Sequence, residues 1–186
     1  LQRLGVRKVR TVVRKRVRFP VADNKMWGML TIWVTIIAGM VLAVVRMPQF
    51  FPVELGFLRP DWVAMILVYW IIALPHRVGV STAWLVGILV DVLLGSPIGQ
   101  HALSYVLIAY VAVSFYQRIR MFSVWQQATI LFLLLGLNQL IGFWIDSIVG
   151  LASWRFWYLL PAVSGSFLWP SVFLMLRYLR RRTGMT

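Results

Sequence analysis

Two aspartates set inside apolar, membrane-length segments, Asp91 and Asp146, are the residues of this chain whose type and placement come nearest to chemistry. Paired carboxylates within a membrane can share a proton and activate water, as aspartyl proteases do. The surrounding pattern argues against it. Leu89-Val90 precede Asp91 and Trp144-Ile145 precede Asp146, so the Gly-x-Gly-Asp signature of presenilin-like proteases is missing. His76 and His101 fall on opposite expected sides of the membrane and neither belongs to a His-Glu-x-x-His pattern, so no metal site is expected. The absence of cysteine excludes disulfides, thiolate catalysis and cysteine-ligated clusters. With no acid, base and nucleophile set to assemble, the residues read as those of a non-enzyme without a cofactor.

What remains for Asp91 is packing or binding. A carboxylate in hydrocarbon costs about 3 kcal/mol even on the mildest scale, so it should face the bundle interior or a wet cavity and have a partner. Gly87, Asp91, Gly95 and Gly99 recur every fourth residue and, while the helix lasts, share a face small enough for close approach. That face suits either an internal neighbour or a partner's single helix. Asn138 and Gln139, in mid-span, need hydrogen-bond partners from a neighbouring helix.

The elements that position these residues follow from composition. A chain of 186 residues that is 61% hydrophobic and 13% charged, with mean hydropathy +0.81, reads as an all-α polytopic membrane bundle. Its length allows about six spans. They are expected at 26–45, 61–75, 78–95, 101–117, 123–151 and 156–178, the second being short and stopped by Pro75. Gly95 to Gly99 forms a turn, the proline-bearing stretch 46–60 a loop, and Pro170 a kink in the sixth span. Tryptophans near span ends, among them Trp27, Trp62, Trp125, Trp154 and Trp157, read as interface anchors.

The net charge of +14 is distributed as a topology signal. With both termini cytoplasmic, sixteen of the 19 basic residues are cytoplasmic, leaving Arg46, Arg59 and Arg155 outside. Every acid after Asp23 then belongs to the outer half, where Arg59, Asp61, Gly87, Asp91, Gly95, Gly99 and Asp146 are expected to form a polar cluster with a structural or partner-binding role. Residues 1–25 form a basic cytoplasmic segment without a signal-length apolar core, so the first span is expected to direct its own insertion. That segment reads either as a native surface helix attracted to anionic lipid or as a non-native extension, since Met26 stands directly before the first span. The bundle proper is expected over 26–180, with 181–186 as a cytoplasmic tail; no motif supports nucleic-acid binding.

Several motifs, in order, resemble those of the rod shape-determining MreD family in its gammaproteobacterial form. They are Arg59-Pro60-Asp61-Trp62, Tyr69 through Arg77, Gly87 through Asp91 with Gly95 and Gly99, Ala102-Leu103, Trp125-Gln126-Gln127-Ala128 and Leu168-Trp169-Pro170. The resemblance implies an inner-membrane, non-catalytic component of the cell-elongation machinery that supports peptidoglycan synthesis. It also implies partners: the single-span periplasmic protein MreC and, through the complex, the MreB filament, the RodA glycosyltransferase and its penicillin-binding transpeptidase. The fold it implies is similar to the substrate-binding subunits of energy-coupling-factor vitamin transporters, which makes a transporter subunit the competing function. The basic segment before Met26 is a departure from the family.

Overall fold

The computed structural model describes residues 24–45, 58–150 and 156–184. Six α-helices make up the described chain: α1 (Asn24–Val44), α2 (Trp62–Ala73), α3 (Val80–Leu94), α4 (Gln100–Met121), α5 (Val124–Ile148) and α6 (Leu160–Arg182). A short 3-10 helix, Phe156–Leu159, leads into α6. There is no strand among the described residues. Arg46, Glu54, Trp154, Arg155 and the basic segment up to Asp23 lie outside them.

α1, α4, α5 and α6 are long and apolar enough to cross a bilayer, whereas α2 and α3 have 12 and 15 residues. At about 1.5 Å per residue, α2 is roughly 18 Å long against about 30 Å of hydrocarbon. Its surroundings explain why that suffices. Every residue from Val63 to Ala73 is buried, and α1, α4, α5 and α6 all pack on it. The segment Trp62-Val63-Ala64-Met65-Ile66-Leu67-Val68-Tyr69-Trp70-Ile71-Ile72-Ala73 has no polar face, as a helix surrounded on all sides by apolar neighbours should not. Irregular backbone at membrane depth is tolerated where protein covers it, so a central helix can end below the surface. Leu74, the residue before Pro75, leaves the helical conformation at φ −139° and ψ 65°, and its N–H bonds the Trp70 carbonyl, closing α2.

The chain is stitched laterally by a few polar contacts. Trp70 Nε1 donates to Thr35 Oγ1 at 2.8 Å, tying the centre of α2 to α1. Between α4 and α5, Ser123 and Gln126 form a capping box. There the Gln127 Nε2 donates to the Ile119 and Phe122 carbonyls at 3.1 Å each. Trp27 and Trp125 are exposed at helix starts, where interface anchors belong. α6 continues through Pro170 and reaches Arg182, two residues beyond the expected end of the bundle.

Alternating helix direction gives the bundle two unlike ends. One gathers the starts of α2, α4 and α6 with the finishes of α3 and α5, and it holds Asp61, Asp91 and Asp146. The other gathers the α2 finish, the α4–α5 turn and the end of α6, and it holds Arg120, Arg177 and Arg180.

Candidate functional site

The acidic end is organised by the first two turns of α4. Helix starts leave N–H groups without intrahelical partners, and α4 begins at Gly99, which has no side chain to accept them. Gly99 is at φ 103°, a conformation that favours glycine, so a Ser or Asp cap would be strained there. Asp91 does the capping from the preceding helix. Its Oδ2 accepts from Gly99 N at 2.8 Å and Ala102 N at 3.4 Å, and its Oδ1 accepts from His101 N at 2.9 Å. Ser96 Oγ also donates to Oδ1 at 2.9 Å. His101 Nδ1 lies 2.8 Å from the same oxygen; because an ionised carboxylate only accepts, that nitrogen carries the shared proton.

The same residue closes α3. Its backbone carbonyl accepts from the N–H groups of Gly95 and Ser96, with Gly95 in the left-handed conformation at φ 67°. Asp91 thus ends one helix through its main chain and starts the next through its side chain, with 0% of its surface exposed. The positive end of the α4 dipole adds to the stabilisation of the carboxylate.

Gly87 brings the two helices together. A methyl group there would sit 2.3 Å from Ala102 Cα and 2.6 Å from Ala102 N, so the backbone of α4 occupies the space a side chain would need. At Gly87 the close neighbour is internal, α4, whereas Gly95 and Gly99 lie in the turn between the helices with nothing within 4 Å of an added methyl.

Asp61 and Asp146 join the same helix from other directions. Asp61 caps α2, accepting from Ala64 N at 3.0 Å, and also receives Tyr105 Oη of α4 at 3.1 Å and Asn138 Nδ2 of α5 at 2.8 Å. Asp146 accepts from Gln100 Nε2 of α4 at 3.1 Å and Tyr158 Oη at 3.1 Å. Gln100, His101 and Tyr105 therefore each hold one acid, from α5, α3 and α2 in turn. Arg59 donates to the Leu42 carbonyl of α1, and burial lowers its guanidinium from the ordinary value.

The sequence pattern missed Ser96, Gln100, Tyr105 and Tyr158. Their signal was weak: each is a neutral hydrogen-bonding group in or beside an apolar span. His76, by contrast, is exposed in the turn after α2, at the end away from His101. Among the described residues no three acids or histidines converge as a metal site would require.

Beside the α4 start, a cleft of about 260 Å³ opens between the helices. Arg59, Asp61, Trp62, His101, Tyr105 and Gln139 line it. The carboxylates here accept hydrogen bonds that fix helix ends; none is paired with another carboxylate across a proton.

These features define a polytopic membrane bundle in which one buried and two half-buried acids tie helices together. A family model described as rod shape-determining protein MreD matches residues 26–179. The rod shape-determining protein MreD of Haemophilus influenzae is 32% identical over 150 residues, covering 81% of this chain and 93% of its own. No solved structure matches the chain. The chain belongs to the MreD family, and its role lies in rod-shape determination.

Proposed function

We propose that this protein is a non-catalytic scaffold of the inner membrane, with both termini cytoplasmic, whose acidic end receives an MreC-like single-span protein. The observation that carries this reading is the α4 hub: three acids from three helices are held by Gln100, His101 and Tyr105. A frame in which each of the three carboxylates accepts at least two hydrogen bonds fixes the shape of the adjoining cleft and engages all three in holding the helices. Family membership supports the assignment to the elongation complex, and through MreC the protein serves MreB, RodA and the penicillin-binding transpeptidase. The site residues Arg59, Asp61, Gly87, Asp91, Gly95, Gly99 and Asp146 act here by shaping the cleft.

The competing transporter reading needs a pocket for a vitamin-sized molecule. Ligand pockets typically run about 300–1,000 Å³. At about 260 Å³, the cleft at the acidic end is smaller than that; cavities of about 310 and 460 Å³ lie at the basic end.

Detergent co-purification of the full chain with its host's MreC-like protein, against an unrelated single-span control, tests the scaffold. A selective complex that is weakened by Arg59→Glu with an unchanged melting temperature supports it; bound small molecule with no partner supports the transporter. Orientation is tested separately. Because the chain has no cysteine, Ile98→Cys and Met121→Cys each introduce a single exposed thiol, one at either end of the bundle. In intact cells stripped of the outer membrane, an impermeant maleimide should label Ile98→Cys and spare Met121→Cys.

A further inference from the structure

The basic end holds a cavity of about 310 Å³ that the acidic frame does not explain. Four of its lining side chains bury a polar atom that finds no hydrogen-bond partner among the described residues: Tyr69 Oη, Gln127 Oε1, Trp169 Nε1 and Arg180 Nε. Trp169, Tyr69 and Gln127 are 0%, 2% and 5% exposed. Buried polar groups are nearly always paired, so four around one cavity mark a place where a polar ligand completes the structure.

The chemistry of the four defines that ligand. Three are donors, and one of them is a guanidinium. The orientation of the Gln127 amide is fixed, because its nitrogen already serves the Ile119 and Phe122 carbonyls, so its oxygen faces a donor. Arg120 and Arg177 line the same cavity, and the charges of Arg177, Arg180 and Arg181 bear on the Tyr69 hydroxyl. No described carboxylate answers these cations: Asp61, Asp91 and Asp146 are all at the other end. The required group is an anion with several acceptor oxygens and a hydroxyl to offer Gln127. A phosphodiester bearing a free hydroxyl meets that description; an ammonium headgroup is opposed by the arginines.

Ile72, Phe122, Val124 and Phe173 form the remaining wall, an apolar surface suited to glycerol and the first methylenes of an acyl chain rather than to a hydrated ion. A second cavity, about 460 Å³ and lined by His76, Arg77 and Tyr116, shares Arg120 and Arg180 with the first and widens the cationic mouth. We infer that the basic end is a binding site for one anionic phospholipid with a hydroxylated headgroup, drawn from the adjoining leaflet. Its assignment to the inner leaflet rests on the orientation proposed above; the site itself does not.

The test uses the full chain in mild detergent, washed free of lipid, with unfolding followed by tryptophan fluorescence. Phosphatidylglycerol should raise the melting temperature saturably, while phosphatidylethanolamine with the same acyl chains and inorganic phosphate should not. Tyr69→Phe deletes one donor and keeps the ring, and Trp169→Phe deletes one donor in exchange for a smaller ring, so each should bind phosphatidylglycerol about tenfold more weakly. Tyr69→Phe should melt at or above the parent temperature when lipid-free, since an unpartnered buried group is lost, whereas Trp169→Phe should melt lower because the smaller ring leaves a void at a fully buried position. Arg180→Gln should weaken binding further. Equal stabilisation by phosphatidylethanolamine, or unchanged affinity in Trp169→Phe and Tyr69→Phe, would overturn the assignment. Saturation by inorganic phosphate alone would overturn the lipid in favour of a soluble phosphate. Binding in detergent has no sidedness, so a failed orientation is revealed by the maleimide labelling and leaves this result standing.

Discussion

Replacing Gly87 by alanine puts the α3–α4 contact to a sharp test. The added methyl carbon would lie 2.3 Å from Ala102 Cα, 2.6 Å from Ala102 N and 2.8 Å from His101 C. Carbon atoms in contact sit about 3.5–4.0 Å apart, so the helices must separate by about 1 Å or more. No side chain can rotate away, because all three obstructing atoms are backbone. The separation also pulls Asp91 from Gly99 N and His101 N, two bonds that are now 2.8 and 2.9 Å. Overpacking costs about 1–3 kcal/mol, and stretching charge-assisted bonds adds to it, so a loss of about 3 kcal/mol is expected. For a chain of this size that corresponds to roughly 6–12 °C in melting temperature.

Thermal unfolding in detergent, read by tryptophan fluorescence, gives the number. Two companions make it diagnostic. Ala102→Gly should not rescue Gly87→Ala, because removing the Ala102 methyl leaves its Cα and N in place. Gly136→Ala, where nothing lies within 4 Å of the added carbon, should be neutral or stabilise α5 by up to about 1 kcal/mol. A Gly87→Ala protein that melts with the parent, or a full rescue by Ala102→Gly, would refute the close-contact account.

Asp91→Asn presents an NH₂ to backbone donors and should cost about 3 kcal/mol, whereas Asp146→Asn, which loses only neutral partners, should cost about 1 kcal/mol; the melting temperatures of the two variants give the order. Tyr105→Phe removes the α4 link to Asp61 and should lower stability by about 1 kcal/mol, with faster amide exchange at Ala64 as the local reporter. Ser123→Ala removes the α5 cap and should cost about 1 kcal/mol, with exchange increasing in the first turn of α5 and not at the acidic end.

Much of this architecture could be read along the chain, and the reasons for the remainder are physical. The uncharged run from Met26 and the turn chemistry of Gly95 to Gly99 mark elements because both signals are local. The gathering of Asp61, Asp91 and Asp146 at one end followed from where the span boundaries fall along the chain. What each acid does was not legible. Asp61 meets Asn138 across 77 positions and Asp146 meets Gln100 across 46, separations that no local pattern encodes. The central place of α2 was hidden for a different reason. In a membrane, lipid and protein are equally apolar surroundings, so an all-apolar segment looks the same at the centre as at the edge. Its short length was the available clue. The cavity at the basic end draws its walls from α2, the α4–α5 turn and α6, so nothing marked it in advance.

The engagement of the acids also bears on how a partner is recognised. A cluster of carboxylates at one end of the bundle invites a charge-based encounter, but these carboxylates accept from helix starts and neighbouring side chains within the bundle. Asp91 presents no surface at all. The cleft is lined by Arg59, Asp61, Trp62, His101, Tyr105 and Gln139, and its one carboxylate, Asp61, is already engaged by Ala64 N, Tyr105 and Asn138. Recognition there depends on shape and short-range hydrogen bonds, which screening barely touches, whereas exposed ion pairs fade when the Debye length falls to about 3 Å near 1 M salt. A complex with an MreC-like protein formed at the acidic end should therefore survive about 1 M salt in detergent. Dissociation under those conditions, with the bundle still folded, would move the contact to the arginines of the basic end, where no described carboxylate lies.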